Sequence, residues 1–204
     1  MGEKIGFIGV GRMVEKKGFD DTIAAFAAMI AEPNAPKAAL TIIGDGPLRQ
    51  QLEAQAAQLK QSGAIRFTGL LPHAEVAKTL SEAHVFVLAS KTAANGDMEG
   101  IPVALMEAMA QGMPVLATIH SGTPELVEHG VSGFLNDEGD WRTLSANMRQ
   151  LAETSERWAQ MGAAGAAKVR AEFDLKLWND RLLERLTQLW GSVTTASARA
   201  NTSP

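Results

Sequence analysis

The sequence predicts an α/β fold: a doubly wound, Rossmann-like parallel sheet of about six strands, with helices on both faces and a helical C-terminus. Three observations lead there. Short apolar runs alternate regularly with amphipathic stretches up to about residue 139. The apolar runs hold few polar residues, as strands buried on both faces do. Past that point the pattern becomes wholly helical. Regular alternation of strand and helix selects a layered sheet with right-handed crossovers over a sandwich or a bundle.

The expected strands, in order, are 5–10, 39–43, 65–67, 85–89, 114–118 and 133–135. Between them lie helical patterns at 19–31, 47–61, 73–82, 103–111 and 124–128, followed by helices at 141–153, 155–173 and 175–190. One domain is expected over 1–190, with a flexible tail over 191–204, a stretch of Ser, Thr and Ala. The start, Met1-Gly2-Glu3-Lys4 running straight into a strand, reads as lacking a signal peptide and as a cut at a domain boundary.

Composition excludes several function classes. The 204 residues include no cysteine, which removes disulfides, zinc–thiolate sites and thiol catalysis. A net charge of -4 favours neither nucleic acid nor an anionic membrane. The four histidines are scattered without ligand spacing, so no metal site is expected.

In such a sheet ligands bind outside the carboxyl ends of the strands, so the loops after the strands carry the function. Gly9-Val10-Gly11-Arg12 follows the first strand, but Val14 stands where a dinucleotide fingerprint needs a third glycine, which rejects the dehydrogenase reading. Gly11, Arg12 and Lys17-Gly18 then form a glycine-flanked cationic loop. Two cations five residues apart can clamp a diphosphate, or they are ordinary surface charges.

The most informative stretch is 97–115. Pro102 suits the first helical position and Gly112 the helix stop. The helix between is apolar on nearly every face, so burial is expected, with Glu107 in its middle. A buried carboxylate must meet donors, either ligand hydroxyls such as those of a ribose or a protein partner. The amides around Ile101, Val103 and Ala104 crown a helix N-terminus, an anion site. Glu99 sits beside Gly100, where a backbone can approach a ligand closely. The spacing of Glu99 and Glu107 spans about 12 Å of helix. A hydrolase acid/base pair stands within about 5–10 Å, so the two glutamates read as separate contacts along an elongated ligand. His120, and Ser121 beside Gly122, lie in the loop after the fifth strand, where they either reach a ligand or only build the turn.

Taken in order, Gly11-Arg12…Lys17-Gly18, Ile43-Gly44-Asp45-Gly46-Pro47, Phe67-Thr68-Gly69, Glu99-Gly100-Ile101-Pro102…Glu107-Ala108-Met109-Ala110-Gln111-Gly112 and Gly122-Thr123-Pro124-Glu125 resemble the C-terminal, nucleotide-sugar-binding domain of the retaining GT-B glycosyltransferases of group 1. That family's hallmark is a pair of glutamates with seven residues between them, as Glu99 and Glu107 are. The run 97–112 is most similar to the members that assemble exopolysaccharides such as colanic acid. The resemblance implies roles. Arg12 and Lys17 hold the donor diphosphate and stabilise the leaving group, and Glu99 contacts the transferred sugar. Gly11, Gly100, Ile101, Pro102 and Val103 bring backbone to the donor, and Glu107 takes the ribose. Arg66 and Phe67, by their backbone, and Leu71 face the base. No metal and no cofactor is implied; a nucleoside diphosphate sugar is the donor substrate.

The family has two α/β domains with the active site between them, and this sequence matches one. The resemblance therefore implies a missing N-terminal acceptor domain, a saccharide or lipid-linked acceptor, and a cytoplasmic protein working at the inner face of the membrane by peripheral association. It also implies that the stripe Trp178, Leu182, Leu186, Leu189 and Trp190 returns to that other domain; packing on its own sheet is the alternative. Two further readings stay open: a nucleotide-sugar-binding module inactive by itself, and a related GT-B epimerase or phosphorylase.

Overall fold

The computed structural model describes residues 4–200, with side chains as far as residue 190. Two compact units divide the chain, one up to residue 167 and one from residue 168.

The first unit holds a six-stranded sheet, every neighbouring pair parallel, in the order β3-β2-β1-β4-β5-β6. The strands are β1 (Ile5–Val10), β2 (Ala38–Ile43), β3 (Ile65–Gly69), β4 (Val85–Leu88), β5 (Val115–Thr118) and β6 (Gly133–Asn136). β4, β5 and β6 are buried along their whole length, as uninterrupted apolar runs require. The strand order reverses between β1 and β4, so the loops that follow these two strands part and leave a crevice at the carboxyl edge.

Helices α1 (Phe19–Ala31), α2 (Arg49–Gln55) and α3 (Ala57–Gln61) return the chain from β1 and β2. Right-handed crossovers place α4 (His73–Ser81), α5 (Val103–Ala110) and α6 (Thr123–Leu126) on the opposite face. α7 (Trp141–Glu153) packs against α1, and Asp140 caps it by accepting a hydrogen bond from the Thr143 amide. Phe7 on β1 meets Phe26 on α1 edge to face, with ring centroids 6.1 Å apart. Ile8, Ile23, Met29, Leu144 and Met148 are also fully buried. α8 begins at Trp158 and ends at Glu172; its small residues Gly162, Gly165 and Ala166 are buried.

Three expectations are corrected. The single helix expected over 47–61 is two, broken at Ala56, whose amide still bonds to Leu52 O. The helix expected over 155–173 opens with a 3-10 turn at Ser155–Arg157. The last helix, α9, runs Leu175–Ala200, straight through Gly191, where the sequence places the start of a tail. A single glycine costs a helix only about 1 kcal/mol, and the Thr, Ala and Ser that follow do not break one. Residues 201–204 of the expected tail lie outside the described residues. On α9, Trp178, Leu182 and Leu186 are each more than half exposed. Among the described residues no helix is long and apolar enough to cross a membrane.

Candidate donor site at the carboxyl edge

The loops after β1 and β4 build the site. After β1 the chain passes Gly11 and Arg12 and makes a 3-10 turn, Glu15–Lys17. Gly18 then starts α1 in the left-handed conformation, with φ of 58°. A Cβ on Gly18 would fall 1.7 Å from Ala89 O, so only glycine lets this turn sit against the end of β4. Lys17 is thereby aimed across the switch point. Its stem lies over Gly11, and its Nζ meets Glu99 Oε1 at 2.5 Å, both side chains being about one-eighth exposed.

The β4 loop is tied to the β1 loop by further contacts. Lys16 pairs with Asp97 at 2.9 Å, and Glu15 accepts from the Ala94 amide. Lys91 bridges Asp20 and Asp21 at the start of α1, at 2.7 and 2.8 Å. Burial acts to lower the Lys91 pKa, but the two carboxylates outweigh it and hold the ammonium above its ordinary value.

Glu99 is fixed at three points. Lys17 and Ser90 Oγ (2.9 Å) take one carboxylate oxygen each, and the Glu99 backbone N–H donates to His120 Nε2 at 3.1 Å. His120 is fully buried, and its Nδ1 meets Glu138 Oε1 at 2.5 Å. Glu138 also accepts from the Thr92 amide at 2.7 Å. Burial raises the Glu138 pKa, yet the hydrogen bonds from Thr92 and His120 prevail and hold it below the ordinary glutamate value.

Gly100 and Ile101 follow, then Pro102 caps α5. The amides of Val103 and Ala104 in the first turn have no acceptor among the described residues. Free amides at a helix start, beside the Lys17–Glu99 pair, make an anion-binding edge.

Beside that edge lies a cleft of about 590 Å³, lined by Val10, Gly11, Arg12, Ile43, Gly44, Asp45, Gly46, Leu70, Leu71 and Val76. Its walls are largely apolar, which suits a planar base and a ribose. Arg12 is exposed and forms no ion pair among the described residues. Asp45 is engaged by the Gly46 amide and by Arg49, both at 2.7 Å, and those bonds lower its pKa. A smaller recess of about 240 Å³ is lined by His73, Val76, Ala77, Leu80, Glu107, Ala110 and Gln111. Val76 lines both spaces.

The structure thus brings Gly11, Arg12, Lys17, Glu99, Gly100, Ile101, Pro102 and Val103 to the edge where β1 and β4 part and sets Leu71 in the cleft wall, while Glu107 lines the smaller recess. Arg66 and Phe67 are not among the lining residues. Arg66 is exposed on β3, and the Phe67 ring lies under Lys60 Nζ at 5.8 Å. The burial expected around Glu107 is corrected: Glu107 is half-buried, and Val103 and Ala110 on the same helix are exposed. Only Leu105, Ala108 and Met109 of α5 are buried, while Glu107, Ala110 and Gln111 open on a recess shared with α4. Leu70, Ser90 and Glu138 escaped the sequence reading; Leu70 beside Leu71 was the one available signal, a pair of leucines directly after a strand end.

Comparison with known proteins bears on this geometry. Residues 2–168 match the family model described as glycosyl transferases group 1. The chain is 42% identical over 182 residues to the amylovoran biosynthesis glycosyltransferase AmsK of Erwinia amylovora, covering 89% of this chain and 44% of that protein. It is 38% identical over 183 residues to the putative colanic acid biosynthesis glycosyltransferase WcaL of Escherichia coli, covering 89% of this chain and 45% of that one. Among solved structures it resembles Anabaena Alr3699/HepE in complex with UDP, with a TM-score of 0.78, 26% identity, and coverage of 91% of this chain and 49% of that one. The same protein has also been solved with UDP-glucose. The chain spans about half the length of the relatives it matches.

Proposed function

The chain belongs to the group 1 glycosyltransferases, and from that premise we propose that it is the donor-binding half of a retaining enzyme. The enzyme moves a sugar from a nucleoside diphosphate sugar to a saccharide or lipid-linked acceptor in bacterial surface polysaccharide synthesis. The observation that carries the reading is the meeting of Lys17, Glu99 and the free amides of α5 at the switch point, beside an apolar cleft with Arg12 at its wall.

In this reading the base and ribose occupy the cleft, and Glu107 accepts from ribose hydroxyls across Val76. The diphosphate lies along the start of α5, between Arg12 and Lys17. When the bond from the anomeric carbon to the phosphate oxygen breaks, its electron pair stays on the diphosphate. Two cations and helix amides stabilise that charge, which is why the proposed site works without a metal and without a cofactor. Glu99 orients the sugar, and the acceptor hydroxyl reaches the anomeric carbon from a second, N-terminal domain, its oxygen bonding to that carbon while its proton passes to the departing diphosphate oxygen. The protein works in the cytoplasm, peripherally at the inner face of the membrane where lipid-linked acceptors are presented.

A thermal-shift and calorimetric screen with uridine, guanosine and adenosine diphosphates and their sugars tests the reading, because a ligand that binds the folded chain raises its apparent stability. One of these donors is expected to bind. The isolated chain is expected to bind it weakly and to transfer no sugar, since positioning of the acceptor accounts for about 7–11 kcal/mol of such barriers. Absence of any shift with all three nucleotide series overturns the reading.

A further inference from the structure

We propose that His120, held by Glu138 as the Nδ1–H tautomer, is the positioning residue for Glu99, fixing the backbone from which the sugar-contacting carboxylate projects. The proposal deepens the donor-site reading and rests on it for what Glu99 contacts; the anchoring itself does not depend on a donor.

Histidine here has two inequivalent jobs. Nε2 faces a backbone N–H, that of Glu99 at 3.1 Å, so it must be the bare, accepting nitrogen. Nδ1 faces the Glu138 carboxylate at 2.5 Å, so it must carry the proton. The two partners agree on one neutral tautomer. Glu138 is in turn set by the Thr92 amide, just beyond β4, at 2.7 Å. The chain thus closes a ring: the β4 loop holds Glu138, Glu138 fixes the His120 ring, and the ring holds the β4 loop at Glu99.

The loop after β5 is shaped for this. Ser121 takes the left-handed conformation, with φ of 46°, which is uncommon for a residue other than glycine. The Thr123 amide bonds back to His120 O. A Cβ on Gly122 would stand 2.7 Å from Ile101 Cγ1, so glycine there lets the loop press on the segment that follows Glu99. Thr118 Oγ1, at the end of β5, donates to Ser90 O, and Ser90 Oγ holds the Glu99 carboxylate. Loops after two neighbouring strands therefore fix Glu99 at backbone and side chain, and a carboxylate held at both ends keeps its reach to the sugar.

Two substitutions separate the two nitrogens. His120→Gln places a carbonyl oxygen where Nε2 stands and keeps an acceptor for Glu99. His120→Asn places an amide nitrogen where Nδ1 stands, keeping Glu138 and losing Glu99. Hydrogen exchange at the Glu99 amide reads the anchor directly, and calorimetry with the donor found in the screen reads its consequence. In His120→Asn the amide is expected to exchange about ten-fold faster and the donor to bind about five- to ten-fold more weakly, the loss of one hydrogen bond; His120→Gln recovers most of both. Equal losses in the two variants, or unchanged Glu99 exchange in His120→Asn, overturn the proposal. Should either variant fold poorly, the ¹⁵N spectrum of wild-type protein still decides: His120 must show a protonated Nδ1 and a bare Nε2, and the reverse tautomer overturns it. If wild-type protein binds no donor, the functional reading fails while exchange and tautomer still judge the anchor.

Discussion

Lys17 Nζ and Glu99 Oε1 stand 2.5 Å apart across the switch point, one on the loop after β1 and the other on the loop after β4. The ammonium proposed to hold a diphosphate and the carboxylate proposed to contact a sugar thus neutralise each other, both nearly buried. Neither strand loop could hold its charge there alone, because an unpaired charge at such depth is costly. In the proposed site a diphosphate at α5 would compete with Glu99 for the ammonium, so opposite effects are expected from removing the two partners.

Lys17→Ala is expected to weaken donor binding by about 1.5–3 kcal/mol, the worth of a hydrogen bond to a charged group. Its melting temperature should fall as well, since Glu99 is left with Ser90 alone on its carboxylate. Glu99→Gln is expected to bind the bare nucleoside diphosphate at least as tightly as wild type, because the competing charge is gone, while the complete two-domain enzyme loses sugar transfer. Calorimetry with the diphosphate separates the cases. Weaker diphosphate binding in Glu99→Gln would show that the two side chains act together and not in competition.

Arg12 stands apart from this pair. It is exposed, lines the cleft wall and forms no ion pair among the described residues. Arg12→Ala is therefore expected to leave the melting temperature unchanged and to lower donor affinity about ten-fold, as loss of a charge-assisted contact does. Chelators should leave binding unaffected. Full affinity in Arg12→Ala would remove it from the diphosphate site, and loss of binding in a chelator would end the metal-free mechanism.

The Glu107 carboxylate makes no hydrogen bond or ion pair among the described residues, though Glu107 sits half-buried on α5. A carboxylate so placed contributes little to folding, so Glu107→Gln should melt with wild type. Donor affinity should fall about five-fold or more, because the charge-assisted bonds to ribose hydroxyls are lost. A 2′-deoxyribose donor, lacking one of those hydroxyls, should show a smaller difference between the two proteins. A lower melting temperature with unchanged affinity would make Glu107 structural.

Much of this was legible in the sequence because it is local. α7 and the β1 strand follow from patterning within a dozen residues, and Gly18 announces a turn that no other residue could make. The resemblance implies roles for Lys17 and Glu99 but not their pairing, which depends on β1 and β4 being neighbours in the sheet. The same limit hid the contacts of His120. Glu138 lies 18 residues on and reaches it because β5 and β6 run side by side in register, Thr118 opposite Asn136. The resemblance implies that the backbone of Arg66 and Phe67 faces the base; the cleft is lined beyond that strand end by Leu70 and Leu71, among others. The apolar composition of α5 implies burial around Glu107, but composition alone does not reveal which side of the helix is covered, and Glu107 opens on the recess shared with α4.

Two tethers of the site respond to pH in opposite windows. The folded state holds the Glu138 carboxyl below its ordinary value, despite burial, through Thr92 and His120. Protons therefore bind the unfolded chain more readily than the folded one there. The stabilisation is fully present above the ordinary glutamate value and is lost as pH falls through the lowered one. Lys91 has the reverse sign. Its ammonium is held above the ordinary lysine value by Asp20 and Asp21 against the effect of burial, so its contribution is complete below that value and disappears as pH rises through the raised one. Melting curves of wild type and Glu138→Gln should thus differ at neutral pH and converge in acid, whereas wild type and Lys91→Met should differ at neutral pH and converge only in strong alkali. A Glu138→Gln deficit that persists undiminished into acid would mean that the carboxylate charge is not what holds His120 and Thr92 together.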